Sequence, residues 1–387
     1  MMLQHISNVQ KDEALKLLCD AIGIVTVNPN GEEKLLADFI ASYLQGTGCT
    51  VTVQEFAPNR ANIIATIKGR TNQKALLING HLDTVPFGNT DGWNTAPDKA
   101  VIRGGTLYGR GASDMKSGLC AALYAFCMFA AEGFVPEHDI IFAGTADEET
   151  DGLGAQAIVN SGLLNNVGHI IIGEPTGNQI SVASKGTLWL EFSICGKTSH
   201  GAYPWEGINA AEVAYELFTE IKKSIEEASH PYLSVPTCTL TKIQGGVKVN
   251  MVPDACNMTL DIRTVPSVCH NELLAQVNRL IAGLQQQFGG LKIEYQVLTN
   301  RMAVEISPHN SLVEELSNTV QEVCGVKPQL TGTGFFSDAS IFLKDYNLPT
   351  VLFGPGESSE AHKPNECVFI KNYFDAIECY YHFMKQQ

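Results

Sequence analysis

The stretch ALLINGHLDTVPFG, residues 75 to 88, places a histidine and an aspartate two residues apart at the end of an apolar run. The run predicts a buried strand, and the proline and glycine that follow it predict a turn. Side chains two residues apart in an extended chain point to the same side. We therefore expect His81 and Asp83 to face one site together, just beyond the end of a strand.

Similar apolar runs alternate with amphipathic helical patterns along most of the chain. Strand-like runs occur at NIIATI (62–67), DIIFAGT (139–145), HIIIGEP (169–175) and LPTVLFGPG (348–356). Helical patterns occur at GEEKLLADFIASYLQGTG (31–48) and MKSGLCAALYAFCMFAAEGF (115–134). Strands that alternate with helices indicate an α/β fold, here with a largely buried mixed sheet flanked by helices.

The pattern changes in the middle of the chain. TLWLEFSICG (187–196), CTLTKIQGG (238–246) and ACNMTLDIRTV (255–265) read as strands, and long helical patterns follow the first and third of them. The order strand, helix, strand, strand, helix, strand is that of a ferredoxin-like α+β sandwich. We therefore expect one α/β domain, residues 1–181 and 297–387, interrupted by an inserted α+β domain over residues 182–296.

The net charge and the composition of the chain limit the kinds of partner it is expected to bind and indicate where it is expected to act. The 387 residues carry a formal net charge of -15, which disfavours nucleic acid and anionic membranes. The 11 cysteines are scattered without a Cys-x-x-Cys pair, as in cytosolic proteins with reduced thiols. No apolar run approaches the roughly 20 residues of a membrane span, and the first residues lack a signal-peptide pattern. We expect a soluble cytoplasmic protein.

Five segments of the α/β part place an acid or a histidine at the end of a strand or the start of a helix. They are GHLDTVP, GRGASDMKSG, GTADEETDG, IIGEPTG and GPGESSEAHKPNE. Because ligands bind beyond the carboxyl ends of strands in α/β sheets, these segments are expected to converge. The predicted site contains His81, Asp83, Asp114, Glu148, Glu149, Glu174 and His362.

Two histidines with several carboxylates suit zinc, since no set of thiolates is present. Five candidate ligands fit two ions that share a bridging carboxylate better than a single structural zinc. Adjacent side chains diverge, so one member of the Glu148-Glu149 pair is expected to bind metal while the other takes a proton from water. We expect the Asp83 carboxylate to hydrogen-bond the free nitrogen of His81. Asp147 and Asp151 are interpreted as solvated.

The motifs GHLDTVP, LYGRGASDMKSG, TADEE, IIGEPT, SHGAYPWEGINA and AHKPNE, in this order, resemble the M20 metallopeptidase family. The resemblance is strongest to its acetylornithine deacetylase and succinyl-diaminopimelate desuccinylase branch, and it runs through nearly the whole chain. It implies that His81 and Glu174 bind one zinc, Glu149 and His362 bind the other, and Asp114 bridges them. It also implies that Glu148 is the general base and that a cis peptide follows Asp114.

The resemblance further implies that the inserted domain is a lid and dimerisation domain of a homodimer. His200 is similar to the family histidine that reaches the partner subunit's active site and stabilises the oxyanion. Asn250 and Arg263 match the family's substrate-binding asparagine and its carboxylate-binding arginine. GTGFFSDAS (332–340) departs from the family's substrate loop, so the acyl group and the amine are left open.

The function expected is that of a di-zinc hydrolase, with cobalt or manganese as alternative metals, that removes an acyl group from the nitrogen of an amino acid or diamino acid. A water bridged by the metals and activated by Glu148 would attack the amide. A dipeptidase or carboxypeptidase with the same metal core is the alternative, with a short peptide as substrate. A binding protein without turnover would lack a ligand or the base, and a nucleotide-binding transferase would need a phosphate loop, which GRGASDMKSG is not.

Overall fold

The predicted strands of the α/β part are buried on both faces. The structure, a computed structural model, describes residues 5–29, 31–71 and 73–387. All residues of Ala75–His81 and Ile140–Thr145 are buried, and these two strands pair in parallel. The first residues, for which the sequence indicates no signal-peptide pattern, lie partly outside the described residues, in residues 1–4.

The helices and strands are as follows, in chain order. The first part contains α1 (Asn8–Gly23), α2 (Glu33–Tyr43), β1 (Thr50–Ala57), β2 (Arg60–Ile67), β3 (Ala75–His81), β4 (Val101–Arg103), β5 (Thr106–Tyr108), α3 (Lys116–Ala131), β6 (Ile140–Thr145), α4 (Leu153–Ser161), β7 (Val167–Ile172) and β8 (Ile180–Ser184). The middle part contains β9 (Gly186–Cys195), α5 (Ala210–Lys223), β10 (Thr237–Gly245), β11 (Ala255–Thr264), α6 (His270–Gln287) and β12 (Lys292–Arg301). The last part contains β13 (Val304–Glu305), α7 (Ser311–Cys324), β14 (Leu330–Thr333), α8 (Ala339–Phe342), β15 (Thr350–Leu352), β16 (Cys367–Phe369) and α9 (Ile370–Met384).

The first compact unit comprises residues up to 182, 306–331 and 337–387. Its main sheet has the order β1-β2-β6-β3-β7-β15-β8. Strands β6, β3, β7 and β15 run parallel to one another, whereas β1, β2 and β8 pair antiparallel with their neighbours. The sheet is therefore mixed, and the expected α/β fold is confirmed.

Helix α3 begins close to the end of β7. A side chain at Gly118, in its first turn, would place Cβ 1.9 Å from the carbonyl oxygen of Gly173. Only glycine permits this approach of helix and strand. It brings Asp114, two residues before α3, and Glu174, two residues after β7, to the same end of the sheet.

The second compact unit comprises residues 183–305 and 332–336. Its antiparallel sheet has the order β10-β11-β9-β12, and α5 and α6 bury Leu217 and Val277 against it together with Leu190. The order β9-α5-β10-β11-α6-β12 is the predicted α+β sandwich. Because β12 pairs along its length with β9, the unit continues to residue 305, past the expected boundary at 296. Among the described residues, no helix has the length and apolar character needed to cross a membrane.

Candidate metal centre

The polar residues predicted to converge lie at the carboxyl ends of the parallel strands. His81 is the last residue of β3, and β6 and β7 are followed closely by the Glu148-Glu149 pair and by Glu174. The segment after β15 carries His362. Because parallel strands end at the same edge of a sheet, one edge collects side chains from separate parts of the chain.

Asp114 lies between the two histidines. Its Oδ1 is 3.1 Å from Nε2 of His81, and its Oδ2 is 3.2 Å from Nε2 of His362. Burial opposes ionisation, but the hydrogen bonds from His362 and His81 hold the pKa of Asp114 below its usual value. The peptide between Asp114 and Met115 is cis, as the family resemblance implies. The two oxygens of one carboxylate thus face two imidazoles, as a bridging ligand would.

His362 also contacts Glu149, with 3.0 Å between its Nε2 and Oε1 of the glutamate. Its hydrogen bonds to Asp114 and Glu149 raise the pKa of His362 to about 10. Half of its side chain is exposed, whereas His81 is buried. The site therefore has a buried side at His81 and an open side at His362.

Glu148 and Glu174 are two buried carboxylates that are not fully hydrogen-bonded within the described part of the chain. Their side chains are 6% and 2% exposed, and Oε1 of each has no hydrogen-bond partner within the described residues. Burial, followed by repulsion from Glu174, raises the pKa of Glu148 well above its usual value. Burial, followed by the charge of Asp114, raises the pKa of Glu174. An uncompensated buried carboxylate is costly, and a cation between the two would remove that cost.

Two groups of described residues have the spacing of metal ligands. One ligand atom each from His81, Glu148 and Glu174 lie within 4.8 Å of one another, and so do atoms of His81, Asp114 and Glu149. Imidazole together with carboxylate oxygens suits a divalent transition metal. The spacing admits Glu148 as a ligand as well as a base, so the division of roles between Glu148 and Glu149 depends on the family resemblance.

Asp83 contacts His81 differently from the prediction. Nδ1 of His81 is 2.9 Å from the backbone carbonyl oxygen of Asp83 and 3.7 Å from its Oδ1. A ring nitrogen that faces a carbonyl oxygen carries the proton, which leaves Nε2 for a metal. The expected tautomer is therefore fixed, but by the main chain of Asp83 and not by its carboxylate.

The carboxylate of Asp83 holds the two glutamates instead. Its Oδ1 accepts the backbone N–H of Glu148 and its Oδ2 that of Glu149, both at 3.1 Å. Burial raises the pKa of Asp83 to about 7. Charge-assisted bonds to two consecutive amides fix the backbone from which both side chains extend.

Asp147 is buried, contrary to the expectation of a solvated side chain, whereas Asp151 is exposed. Oδ1 of Asp147 accepts from Nη2 of Arg60 at 2.6 Å, and the same guanidinium pairs with the buried Glu33. The sequence does not indicate a role for Arg60, because its partners are 27 and 87 residues away along the chain. The turn that presents Glu148 is thus anchored by an ion pair that no local pattern indicates.

His200 and Asn250 lie in the second unit. Nδ1 of His200 accepts the backbone N–H of Ala202 at 3.1 Å, so the proton of a neutral ring is on Nε2. The backbone carbonyl of Asn250 accepts the N–H of Gly201 at 2.9 Å, which joins these two segments. His200 therefore presents a hydrogen-bond donor in its neutral form.

Arg263, also in the second unit, is already paired. Its Nε and Nη2 donate to the two carboxylate oxygens of Asp261 at 2.8 and 3.1 Å, and Nη1 donates to Oγ1 of Thr187 at 2.8 Å. The two-pronged face suited to a carboxylate is therefore occupied by Asp261. A substrate carboxylate would have to use the remaining N–H groups or displace Asp261.

Known proteins match this chain over nearly its whole length. A probable succinyl-diaminopimelate desuccinylase of Staphylococcus aureus (strain N315) is 26% identical, covering 97% of this chain and 97% of that protein. An uncharacterized metallohydrolase of Methanocaldococcus jannaschii is 29% identical, covering 97% and 99%. The crystal structure of an M20 family metallo-carboxypeptidase from Sulfolobus solfataricus superimposes with a TM-score of 0.79 at 21% identity, over 97% of this chain and 99% of that one.

The structural similarity to the metallo-carboxypeptidase confirms the fold. The family is assigned from the sequence. The pattern that defines peptidase family M20/M25/M40 matches residues 77–386, which is most of the chain and includes the strand ends described above. The resemblance inferred from the motifs is thereby confirmed. The chain belongs to peptidase family M20/M25/M40 and is a hydrolytic enzyme that acts on amide bonds.

Proposed function

We propose that the protein is a di-zinc deacylase that cleaves the amide bond of an N-acylated amino acid or diamino acid, acting in the cytoplasm as a homodimer. The observation that carries the proposal is the cluster of two histidines and four carboxylates in which buried oxygens of Glu148 and Glu174 find no hydrogen-bond partner in the described part of the chain. The match to a protein named as a probable desuccinylase supports an acylated amine as substrate.

The donors present fit two zinc ions. His81 and Glu174 would hold one, Glu149 and His362 the other, and Asp114 would be shared by both. When bound, zinc polarises the amide carbonyl and makes water more acidic. Cobalt or manganese would satisfy the same donor set.

The residues of the chain itself supply the proton transfers. Glu148 takes the proton of the attacking water and later passes it to the leaving amine, which is general acid–base catalysis. Its backbone is fixed by the carboxylate of Asp83, so the base keeps its position between the two transfers. The raised pKa caused by burial suits a base that must take the proton from water and hold it until the amine leaves.

His200 of the partner subunit is proposed to donate Nε2–H to the oxyanion. We expect His200→Ala to lower kcat by about 10²-fold, the usual loss for one oxyanion donor, and to leave zinc content unchanged. Metal analysis with steady-state kinetics measures both.

A subunit-mixing experiment tests whether His200 acts across the dimer. Mixing equal amounts of inactive His200→Ala and Glu148→Gln subunits, after denaturation and refolding together, should restore about a quarter of wild-type activity, since half of the dimers then carry one intact site. Recovery of no activity from mixed dimers would remove His200 from the partner's site.

A substrate panel tests the reaction itself. N-succinyl-diaminopimelate, N-acetylornithine, other N-acetyl amino acids and dipeptides should be compared with added zinc, cobalt or manganese. We expect kcat/KM for an N-acyl amino acid to exceed that for every dipeptide by at least about tenfold, a difference of about 1.4 kcal/mol in transition-state binding. Dipeptides as the better substrates would replace the deacylase by the dipeptidase or carboxypeptidase alternative.

A further inference from the structure

A fully buried glutamate holds the backbone of Asp114. Oε1 of Glu366, whose side chain has no exposed surface, accepts the backbone N–H groups of Ser113 and Asp114 at 2.9 and 3.0 Å. The backbone carbonyl of Glu366 also accepts the N–H of Gly109 at 3.0 Å. One residue thus fixes the peptide from which the bridging carboxylate extends, and it stands only four residues after His362.

The partner of Glu366 is Arg110, which is 3% exposed. Nη1 of Arg110 donates to Oε2 of Glu366 at 2.5 Å, and Nη2 donates to the carbonyl oxygen of Pro86 at 3.1 Å. The guanidinium also lies over the ring of Trp93, 5.2 Å from its centroid. The pair therefore joins three loops: the one that follows β3 and His81, the one that leads to Asp114, and the one that carries His362.

We propose that Arg110 and Glu366 are positioning residues that set the affinity of the metal centre by holding Asp114 between the two histidines. This inference rests on the proposed metal centre. A carboxylate that accepts two consecutive amides restrains their peptides, and its own buried charge requires the arginine. Residues that orient metal ligands in this way typically change metal affinity by about 10- to 100-fold when they are replaced.

Glu366→Gln is the informative variant, because it keeps the side-chain shape and one acceptor oxygen while it removes the charge. The double variant Arg110→Met/Glu366→Gln leaves no unpaired buried arginine, so it tests the same point if the single variant does not fold. Glu378→Gln is the matched control. Glu378 is also buried and accepts a backbone N–H, that of Ile6, and it pairs with His5 outside the site.

Zinc affinity should be measured by competition with a chelator, together with the absorption spectrum of the cobalt-substituted protein and the melting temperature of the metal-free protein. We expect the Kd for zinc to rise at least about tenfold in both Glu366 variants, with an altered cobalt spectrum, and to stay unchanged in Glu378→Gln.

A role confined to the scaffold predicts a different result. The metal-free protein would then melt at a lower temperature while zinc affinity and the cobalt spectrum stayed as in the wild type, and this result would overturn the inference. Failure of the wild type itself to bind zinc would overturn the proposed metal centre and the inference with it. The two failures are distinguishable because the wild type is measured first.

Discussion

Glu148→Gln should lower kcat by about 10³-fold, because the side-chain amide of glutamine cannot take a proton from water. Two zinc ions should stay bound. The substitution keeps the volume of a side chain that is only 6% exposed, and the backbone bond from Glu148 to Asp83 does not involve the altered group. KM should therefore change by less than about threefold, since the loss falls on the transition state. Steady-state kinetics and metal analysis on one preparation give all three values.

The same experiment separates the two roles that the spacing allows. As a ligand, Glu148 would form a group with His81 and Glu174, so the glutamine variant would lose zinc together with activity. As the base, it would lose activity alone. Asp151→Asn is the matched control, because Asp151 is an exposed acid on the same loop and should leave kcat within about twofold of the wild-type value. Wild-type turnover in Glu148→Gln would exclude the residue from the reaction.

The positions of the metal-binding candidates were predictable because they depend on two local rules. Apolar runs bounded by turn residues identify β3, β6 and β7, and parallel strands that alternate with helices must end at one edge. These rules bring His81, Glu148 and Glu174 together without any knowledge of their contacts. The same rules missed β1, which has no fully buried residue, and the small sheet of β4, β5 and β16, whose strands are only three residues long.

The hydrogen bonds and ion pairs that position the candidate metal-binding residues were not predictable from the sequence. Asp83 lies two residues after His81 and faces the same side, yet its carboxylate binds amides 65 and 66 residues away. Asp147 resembles a loop acid in the sequence, but its burial depends on Arg60 in another strand. Which acceptor a side chain uses is decided by tertiary packing, and one sequence contains no record of packing. The hydrogen bonds and ion pairs that hold the site residues in place are therefore harder to predict from the sequence than the site residues themselves.

Asp114→Ala should have the largest effect on metal content. Each of its oxygens lies close to a different histidine, 3.1 Å from His81 and 3.2 Å from His362, so its removal takes a ligand from both proposed ions. We expect at least one zinc per subunit to be lost, and activity to fall by about 10³-fold or more, because the remaining ion cannot replace the two-metal arrangement. Metal analysis after extensive dialysis measures the first effect directly.

Thermal stability provides an independent measure of the same loss. A ligand at 100 times its Kd stabilises the protein that binds it by about 2.7 kcal/mol, so zinc should raise the melting temperature of the wild type. Asp114→Ala should lose at least half of that increment. Asp139→Ala is the matched control. Asp139 lies just before β6, at the opposite end of the sheet, and accepts the backbone N–H of Gly69. This variant should keep the full zinc-dependent increment even if its metal-free form melts at a lower temperature. Full zinc occupancy and an undiminished increment in Asp114→Ala would refute the bridging role, since neither survives the loss of a shared ligand.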